Sequence, residues 1–410
     1  MTGTPEKTNR MAVPFLQARA LILERMTLLP EEPAGLAELC GRVLANDFHA
    51  PGDLPCWANS EMDGFAVRVA DCRPGARLRV IGELPAGSSA AGQRVISGTA
   101  VRIMTGAPVP EGCDAVLPIE ETEPVADGIL VRRAVRSGEF IRDRGCDISA
   151  GELMIPAGTV LRPAEVNLLA VCGITQAAVR RRPRVAVLST GDELVAPGEA
   201  PGPGRIIDGN SYSLAAAISE IGATPELLGI ARDNTASLRE KIAHGLEAEA
   251  LVTSAGVSAG DHDLVRETLA GFGVEQVFWK VSMKPSGPTA FGLKEAVPVF
   301  SLPGNPVSSM VGFDQLVRPA LLQMMGHRRL FRPPTEIRLV SALSNETGKT
   351  RFLRLAVRET PDGLVGEGAG NQNTGILSTM IRANAFAVLP PECREVPVGE
   401  KIAVEIFGPL

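Results

Sequence analysis

Acidic residues, hydroxyl-bearing residues and glycines gather in four loops of the sequence, at 189–194, 232–234, 253–263 and 303–306. The third loop leads into a predicted helix, where free backbone N–H groups and the helix dipole favour a phosphate or another oxyanion. Its candidate ligands are Ser254, Gly256 and Ser258. Three of the loops also carry carboxylates, and carboxylates beside phosphate are typical of Mg²⁺ sites. These acids are Glu193, Asp233 and Asp263.

The same residue types are also suited to purely structural roles. Asp233 and Asp263 could cap helices, and Pro303 and Pro306 fit a simple helix start with proline in the first turn. Lys280 and Lys284 share a face if they lie on a strand, so both ammonium groups could reach one ligand. Two solvated surface lysines would show the same spacing.

Three compact polar segments lie outside these loops, at 59–65, 103–108 and 142–147. They contain Asp63, Thr105, and the pair Arg142 and Asp147. Taken singly, each segment is typical of an ordinary turn or of a surface run of charges.

The length of the chain predicts that several domains position these residues, because 410 residues exceed what one hydrophobic core usually serves. Apolar spacing predicts helices in 11–45, including 36–44, and in 146–180, which together form a helical linker domain. Short apolar runs and turn signals predict a β-rich domain over 46–145. Residues 181–330 alternate buried strands (185–189, 227–231, 250–253, 299–302) with helices, which predicts a mostly parallel sheet covered on both sides. Residues 331–410 predict a small C-terminal β domain.

Composition excludes several classes of function. The net charge of −6 disfavours a nucleic-acid partner. The seven scattered cysteines are typical of reduced thiols rather than of a disulfide framework or zinc site. No apolar run reaches the length of about 18–20 residues that a membrane span needs, which predicts a cytoplasmic protein with no membrane association.

Five motifs in order give the chain a family resemblance. They are Asn-Ser-x-Met-Asp-Gly-Phe-Ala-Val-Arg, Ile-Met-Thr-Gly-Ala-Pro-Val-Pro-Glu-Gly-Cys-Asp-Ala-Val, Ser-Thr-Gly-Asp-Glu-Leu, Gly-Val-Ser-x-Gly-Asp-x-Asp and Leu-Pro-Gly-Asn-Pro-Val-Ser. From about residue 11 to the C-terminus the sequence resembles MoeA and the E domain of gephyrin, the molybdopterin molybdenumtransferases.

The resemblance implies a fold, a reaction and partners. The fold is a multidomain α/β plus β architecture: a central MogA-like α/β molybdopterin-binding domain, a β-rich insert, a helical linker and a C-terminal domain like a small β-barrel. The reaction converts adenylylated molybdopterin and molybdate into molybdenum cofactor and AMP, with Mg²⁺. The implied assembly is a homodimer with the active cleft between subunits. A molybdopterin adenylyltransferase and molybdoenzyme chaperones are the implied protein partners.

Matching positions carry the roles of the family over to this chain. The residues matched to catalytic and acid–base roles are Asp63, Glu193, Asp233 and Asp263. The last three are also matched to metal ligands. Substrate binding falls to Thr105, Arg142, Asp147, Ser254, Gly256, Ser258, Lys280, Lys284, Pro303, Pro306 and Thr374, which takes a place usually held by Ser. Cleavage of a phosphoanhydride needs cations such as Arg142, Lys280 and Lys284, because they stabilise the negative charge that spreads over the phosphate oxygens.

Several residues depart from the family pattern. Ala58 stands where Asp is usual and Glu61 where Ala is usual; Ala255 replaces a glycine, and Ser286-Gly287 replaces Gly-Lys. If position 255 needs a positive φ, alanine there costs on the order of 1 kcal/mol or more. These departures leave two alternatives: a non-catalytic molybdopterin-binding paralogue, and a CinA-like nucleotide pyrophosphohydrolase.

Overall fold

The computed structural model describes residues 12–256 and 264–410. Within them the chain forms two compact units. The β-rich unit comprises residues 46–157 and 163–175, and the larger unit comprises residues 12–45, 158–162 and 176–410. Among the described residues, no helix combines the length and the apolar character that crossing a membrane requires.

A six-stranded sheet forms the centre of the β-rich unit. In spatial order its strands are Ala115–Pro118, Gly64–Val67, Thr99–Ile103, Arg77–Leu84, Gly128–Val131 and Thr122–Val125. Strand Asn59–Ser60 pairs with Ile141–Arg142, Phe48–His49 pairs with Leu153–Ile155, and the one α-helix described in this unit is Pro163–Val171. Buried Phe65, Leu117 and Ile129 pack on one side of the sheet and Ala66, Val101 and Ile103 on the other. The predicted β-rich character of this segment is confirmed.

The larger unit contains the predicted α/β sheet. Its six strands, in spatial order, are Thr224–Ala231, Arg184–Thr190, Ala250–Ser254, Val297–Leu302, Ala290–Lys294 and Glu275–Phe278. The first four are parallel and the last two are antiparallel. All four predicted strands are therefore present, in a mostly parallel sheet.

Helices cover both faces of this sheet, as predicted. Val185, Val187 and Val252 pack with helix Asn210–Glu220 and with the helical run from Pro306 to Met324. Alternate residues, including Ala186 and Leu188, pack with helices Thr235–Gly245 and Leu264–Gly271 on the other face. The run from Pro306 consists of α-helices Pro306–Gly312 and Arg318–Met324 joined by a π-helical turn, Phe313–Val317.

A closed five-stranded barrel forms the C-terminal part of the larger unit. Its strands are Thr350–Thr360, Gly363–Gly368, Pro334–Leu339, Lys401–Ile406 and Ala385–Leu389, the last pairing back with the first. Strands Val281–Lys284 and Val13–Pro14 extend the sheet outward from Thr350–Thr360. Short strands Leu343–Ser344 and Glu395–Val396 pair beside it, and Ser378–Arg382 is its helix. The predicted C-terminal β-barrel-like domain is confirmed.

The prediction of helix across 36–44 was wrong. Over residues 12–45 the structure has one α-helix, Phe15–Leu23, and residues 36–44 contain no helix beyond a 3₁₀ turn at Leu36–Glu38. Strand Glu31–Gly35 pairs instead with Gln176–Arg180. Leu39, Val43 and Leu44 are buried, but they reach the core from a turn and from isolated β-bridges. The apolar residues of this short irregular segment therefore have helical spacing in the sequence but do not form a helix.

Candidate functional site

In the β-rich unit, Asp63 and Thr105 are held together. Asp63 precedes strand Gly64–Val67, and Thr105 follows the paired strand Thr99–Ile103. The Asp63 Oδ1 atom accepts hydrogen bonds from the backbone N–H of Thr105 at 2.7 Å and from its hydroxyl at 2.8 Å. These two bonds, with a smaller contribution from Arg102, lower the pKa of the Asp63 carboxyl. Asp63 is therefore an exposed, ionised carboxylate of fixed orientation.

Arg142 lies on the neighbouring two-stranded ribbon of the same unit. It pairs with Asn59 in antiparallel register, and its Nε is 3.6 Å from Oε1 of Glu61. Asn59 is buried, and its Oδ1 has no hydrogen-bond partner in the described structure. Asp147 is exposed, and its backbone N–H donates a hydrogen bond to the carbonyl of Leu54.

In the larger unit, reciprocal hydrogen bonds between acidic residues join the first two loops. The backbone N–H of Asp192 donates to the Asp233 carboxylate at 3.3 Å, and the Asp233 N–H donates to the Asp192 carboxylate at 3.2 Å. Arg232 supports both loops by donating to the carbonyl of Leu194 at 2.9 Å. The carboxylate of Glu193 folds over Gly191, where a Cβ atom would collide with it. Three carboxylates thus follow two adjacent parallel strands.

The loop after strand Ala250–Ser254 begins with two residues of left-handed backbone. Ser254 is buried, and Ala255 and Gly256 both have a left-handed backbone, with φ of 73° and 74°. Ala255 therefore adopts the positive φ at which a glycine would be unstrained. A Cβ on Gly256 would collide with Val265, so that position requires glycine. Ser258 and Asp263, which were predicted to complete this site, lie outside the described residues.

Asn210 joins this loop to the next. Its side-chain amide donates to the Ser254 hydroxyl at 2.9 Å and to the carbonyl of Gly304 at 2.7 Å. Gly304 lies between Pro303 and Pro306, and the latter starts the helix after Asn305 as predicted. One amide therefore holds two site loops at the carboxyl edge of the sheet.

Lys280 and Lys284 flank the strand that joins the C-terminal sheet. Val281 and Met283 are buried, whereas Lys284 is exposed and Lys280 half-buried, so the two lysines lie on the outer face. Within the described ranges, neither ammonium group has a carboxylate within 4.0 Å. The next turn is closed by Ser286, at φ 68°, whose hydroxyl is 2.8 Å from that of Thr289.

Thr374 lies on a loop of the barrel that a buried arginine supports. The guanidinium of Arg354 donates to the carbonyls of Asn371 and Asn373 at 3.2 and 3.3 Å. Arg354 is 1% exposed, and its Nε has no hydrogen-bond partner in the described structure. Burial, and then the charge of Arg351, lower the pKa of this guanidinium. Arg354 is therefore a buried cation that supports the loop carrying Thr374.

Mg²⁺ suits the oxygen donors of the acid loops. The described residues contain no group of three or more His, Cys, Asp or Glu side chains close enough to bind a metal ion. Mg²⁺ is usually bound by one or two carboxylates together with substrate phosphates and water. Glu193 and Asp233 therefore fit a metal that arrives with a phosphorylated substrate rather than a metal held by a complete protein cage.

Sequence reasoning missed three residues of these sites. The pattern around Asn210 indicates only a helix cap, Asp192 stands out only as part of its loop, and no motif points to Arg354. Hydrogen bonds to residues distant in sequence are the signal for Asn210 and Asp192, and burial is the signal for Arg354. Neither signal is visible in a single sequence.

Known proteins resemble the chain along almost its whole length. It matches the MoeA N-terminal region (domain I and II) over residues 13–173, a "Probable molybdopterin binding domain" over 186–323, and the MoeA C-terminal region (domain IV) over 336–407. It is 34% identical to the molybdopterin molybdenumtransferase of Haemophilus influenzae, over 96% of this chain and 98% of that one. It is 35% identical to molybdopterin molybdenumtransferase 2 of Mycobacterium tuberculosis, over 90% and 93% of the two chains. The crystal structure of the molybdopterin biosynthesis MoeA protein from Pyrococcus horikosii superimposes with a TM-score of 0.84 at 30% identity, covering 98% of this chain and 100% of that one.

Proposed function

Because the chain belongs to the MoeA family, we propose that it inserts molybdenum into adenylylated molybdopterin and releases AMP. It is an enzyme of molybdenum cofactor biosynthesis, a molybdopterin molybdenumtransferase like its curated relatives. The adenylylated substrate, the release of AMP, Mg²⁺ and the homodimer are the finer parts of the proposal.

One observation carries the proposal: the carboxylates and the loop predicted to bind an oxyanion lie at the carboxyl edge of one parallel sheet. The loops of Asp192 and Asp233 follow two adjacent strands, and the Ser254–Gly256 loop follows the next. Ligands of open α/β sheets bind at this edge. A phosphate bound at the Ser254–Gly256 loop would lie at the same edge as the acids, which is the arrangement that a phosphate-bound Mg²⁺ requires.

The cations serve the anionic substrates. An oxygen of water or molybdate attacks the adenylyl phosphorus, its bond to the pterin phosphate oxygen breaks, and the pterin phosphate is the leaving group. Negative charge spreads over the phosphate oxygens in this step, and fixed positive charge stabilises that state. We assign Lys280 and Lys284 to phosphate or molybdate, and Arg142 and Arg354 to molybdate, the oxyanion substrate. Thr374 binds beside Arg354.

The acids divide into two roles. Glu193 and Asp233, with Asp263, would hold Mg²⁺, which when bound neutralises phosphate charge. The pKa of Asp63 is lowered, and a low pKa makes a carboxylate a weak proton acceptor. We therefore assign Asp63 to orienting a donor group or a cation of the substrate rather than to abstracting a proton.

The test is AMP release from adenylyl-molybdopterin with Mg²⁺ and molybdate, for the wild type, Asp63→Asn and Glu193→Gln. Molybdate-dependent AMP release that both substitutions reduce at least about a hundredfold supports the assignment. Tight molybdopterin binding without AMP from the wild type would make the chain a binding paralogue and overturn the proposal.

Mixing the two variants tests the homodimer with a cleft between subunits. In a mixed dimer, one cleft carries both substitutions and the other carries neither, so activity returns to about half that of the wild-type dimer. A site built from a single chain would stay inactive in every mixture. Size-exclusion chromatography with light scattering measures the assembly itself.

A further inference from the structure

Glu61 and Arg142 lie on one face of the two-stranded ribbon in the β-rich unit. Arg142 is directly opposite Asn59 in antiparallel register, and directly opposed residues share a face. Glu61 lies two residues beyond Asn59, and its backbone N–H continues the ladder by donating to the carbonyl of Phe140 at 2.9 Å. Its carboxylate therefore reaches the same face and lies 3.6 Å from the Arg142 guanidinium.

This ion pair contributes little to the stability of the fold. The side chains of Arg142 and Glu61 are 48% and 43% exposed, and exposed pairs of this kind contribute about 0–1 kcal/mol. Backbone bonds hold the ribbon in place without the pair: Asn59–Ser60 pairs with Ile141–Arg142, and Gly106 donates to the carbonyl of Ser60 at 2.8 Å. The consequence of the pair is electrostatic, because it places a negative charge against the cation.

Beneath the pair lies a second unusual group. The Oδ1 atom of Asn59 is buried on the same face and has no hydrogen-bond partner in the described part of the chain. A buried acceptor without a partner is costly, and a guanidinium carries five donors. The guanidinium of Arg142 therefore has the Glu61 carboxylate as its charged neighbour on a face that also carries Asn59.

We propose that Glu61 sets the oxyanion affinity of this site by competing for Arg142. The inference rests on the proposed function, in which Arg142 binds molybdate. An incoming oxyanion must displace the carboxylate before it can use the guanidinium, so the carboxylate weakens binding.

Molybdate binding to the full-length protein, measured by equilibrium dialysis, tests this competition. Glu61→Gln removes the charge and keeps the shape, and we expect it to tighten molybdate binding about two- to fivefold at low salt. The gain should shrink as ionic strength rises, because salt screens an exposed pair. Glu123→Gln is the matched control: Glu123 forms a comparably exposed pair with Arg132, at 3.1 Å, elsewhere in this unit, and should leave binding unchanged.

The double variant Glu61→Gln with Arg142→Gln distinguishes the possible failures. We expect Arg142→Gln to weaken molybdate binding and to abolish the effect of Glu61→Gln. If Arg142→Gln weakens binding but Glu61→Gln changes nothing, the competition is disproved and the proposed function stands. If Arg142→Gln leaves binding unchanged, the assignment of Arg142 fails and the inference fails with it. A gain from Glu61→Gln that persists without Arg142 would show a general charge effect and overturn the proposal.

Discussion

Asp63 accepts two hydrogen bonds from one residue, Thr105, through a single carboxylate oxygen. The backbone donor contributes most to the lowered pKa of Asp63, and the hydroxyl donor contributes next. A lowered folded-state pKa stabilises the fold above the unfolded pKa of about 3.9, and this contribution is lost as pH falls through the folded value.

We predict that Thr105→Val raises the pKa of Asp63 part of the way back towards its ordinary value. The substitution removes the hydroxyl donor and keeps the backbone donor, so the shift is partial. Carboxylate NMR titration of the labelled protein measures it. Asp53 is the internal control, because its pKa is lowered by Ala150 and Arg144 and should not change. An unmoved Asp63 would contradict the role of the hydroxyl.

Ala255 stores backbone strain that glycine would release. Its φ of 73° lies in the left-handed region, which costs an alanine about 1–2 kcal/mol. Glycine loses part of that advantage because it has more conformational freedom when unfolded. We predict that Ala255→Gly raises the free energy of unfolding by about 0.5–1 kcal/mol, measured by urea denaturation.

A control for this substitution lies in the larger unit as well. Ala216 is exposed within helix Asn210–Glu220, where glycine costs about 0.5–1 kcal/mol. Ala216→Gly should therefore destabilise the protein while Ala255→Gly stabilises it. Equal losses from both substitutions would show that position 255 is not strained.

Asn210 is predicted to position the substrate loops. In Asn210→Asp, a carboxylate would face the Gly304 carbonyl without a proton between them, and the bridge to Ser254 and Gly304 would open. We expect a loss of about 1–3 kcal/mol in unfolding free energy and a raised KM for the pterin substrate, measured by the AMP assay.

Asn384→Asp separates stability from positioning. The Asn384 amide donates to the carbonyls of Val357 and Pro409 in the barrel, at 2.8 and 2.7 Å. Its substitution should lower stability to a similar degree and leave KM unchanged. A KM that rises equally in both variants would mean that lost stability, not loop position, is the cause.

The sequence was sufficient for the parts of the fold that local patterns determine. Buried runs such as 185–189 predicted strands, and the structure has this one as Arg184–Thr190. The helix predicted over 36–44 failed because those apolar residues are buried by distant partners such as Val160 and Val179. Helical spacing cannot distinguish the two cases.

The candidate site residues also divide into those that local sequence patterns indicate and those that depend on contacts distant in sequence. Glu193 and Asp233 could be proposed from the loops that carry them, and Asp63 only from the family resemblance. Asn210 could not, because its partners are 44 and 94 positions away in sequence. The roles of the matched residues, the cytoplasmic location and the domain boundaries stay predictions.

Arg354 is expected to combine support of a loop with oxyanion binding. It is buried, has no carboxylate within 4.0 Å among the described residues, and donates to the two carbonyls that flank Gln372. Lysine at this position keeps the charge but cannot form the planar fork. We predict that Arg354→Lys weakens molybdate binding about tenfold, since a lost charge-assisted hydrogen bond is worth about 1.5–3 kcal/mol. Arg354→Met removes the charge and should weaken binding further.

The two roles of Arg354 are separated by comparing binding with stability. Both substitutions remove donors from the carbonyls of Asn371 and Asn373, so unfolding free energy should fall in both. Only loss of charge distinguishes them, and therefore molybdate affinity, measured by equilibrium dialysis, should be lower in Arg354→Met than in Arg354→Lys. Thr374→Val, which leaves the arginine and its carbonyl partners intact, should weaken binding with little loss of stability. If all three variants bind molybdate as the wild type does, Arg354 supports the loop and has no part in the oxyanion site.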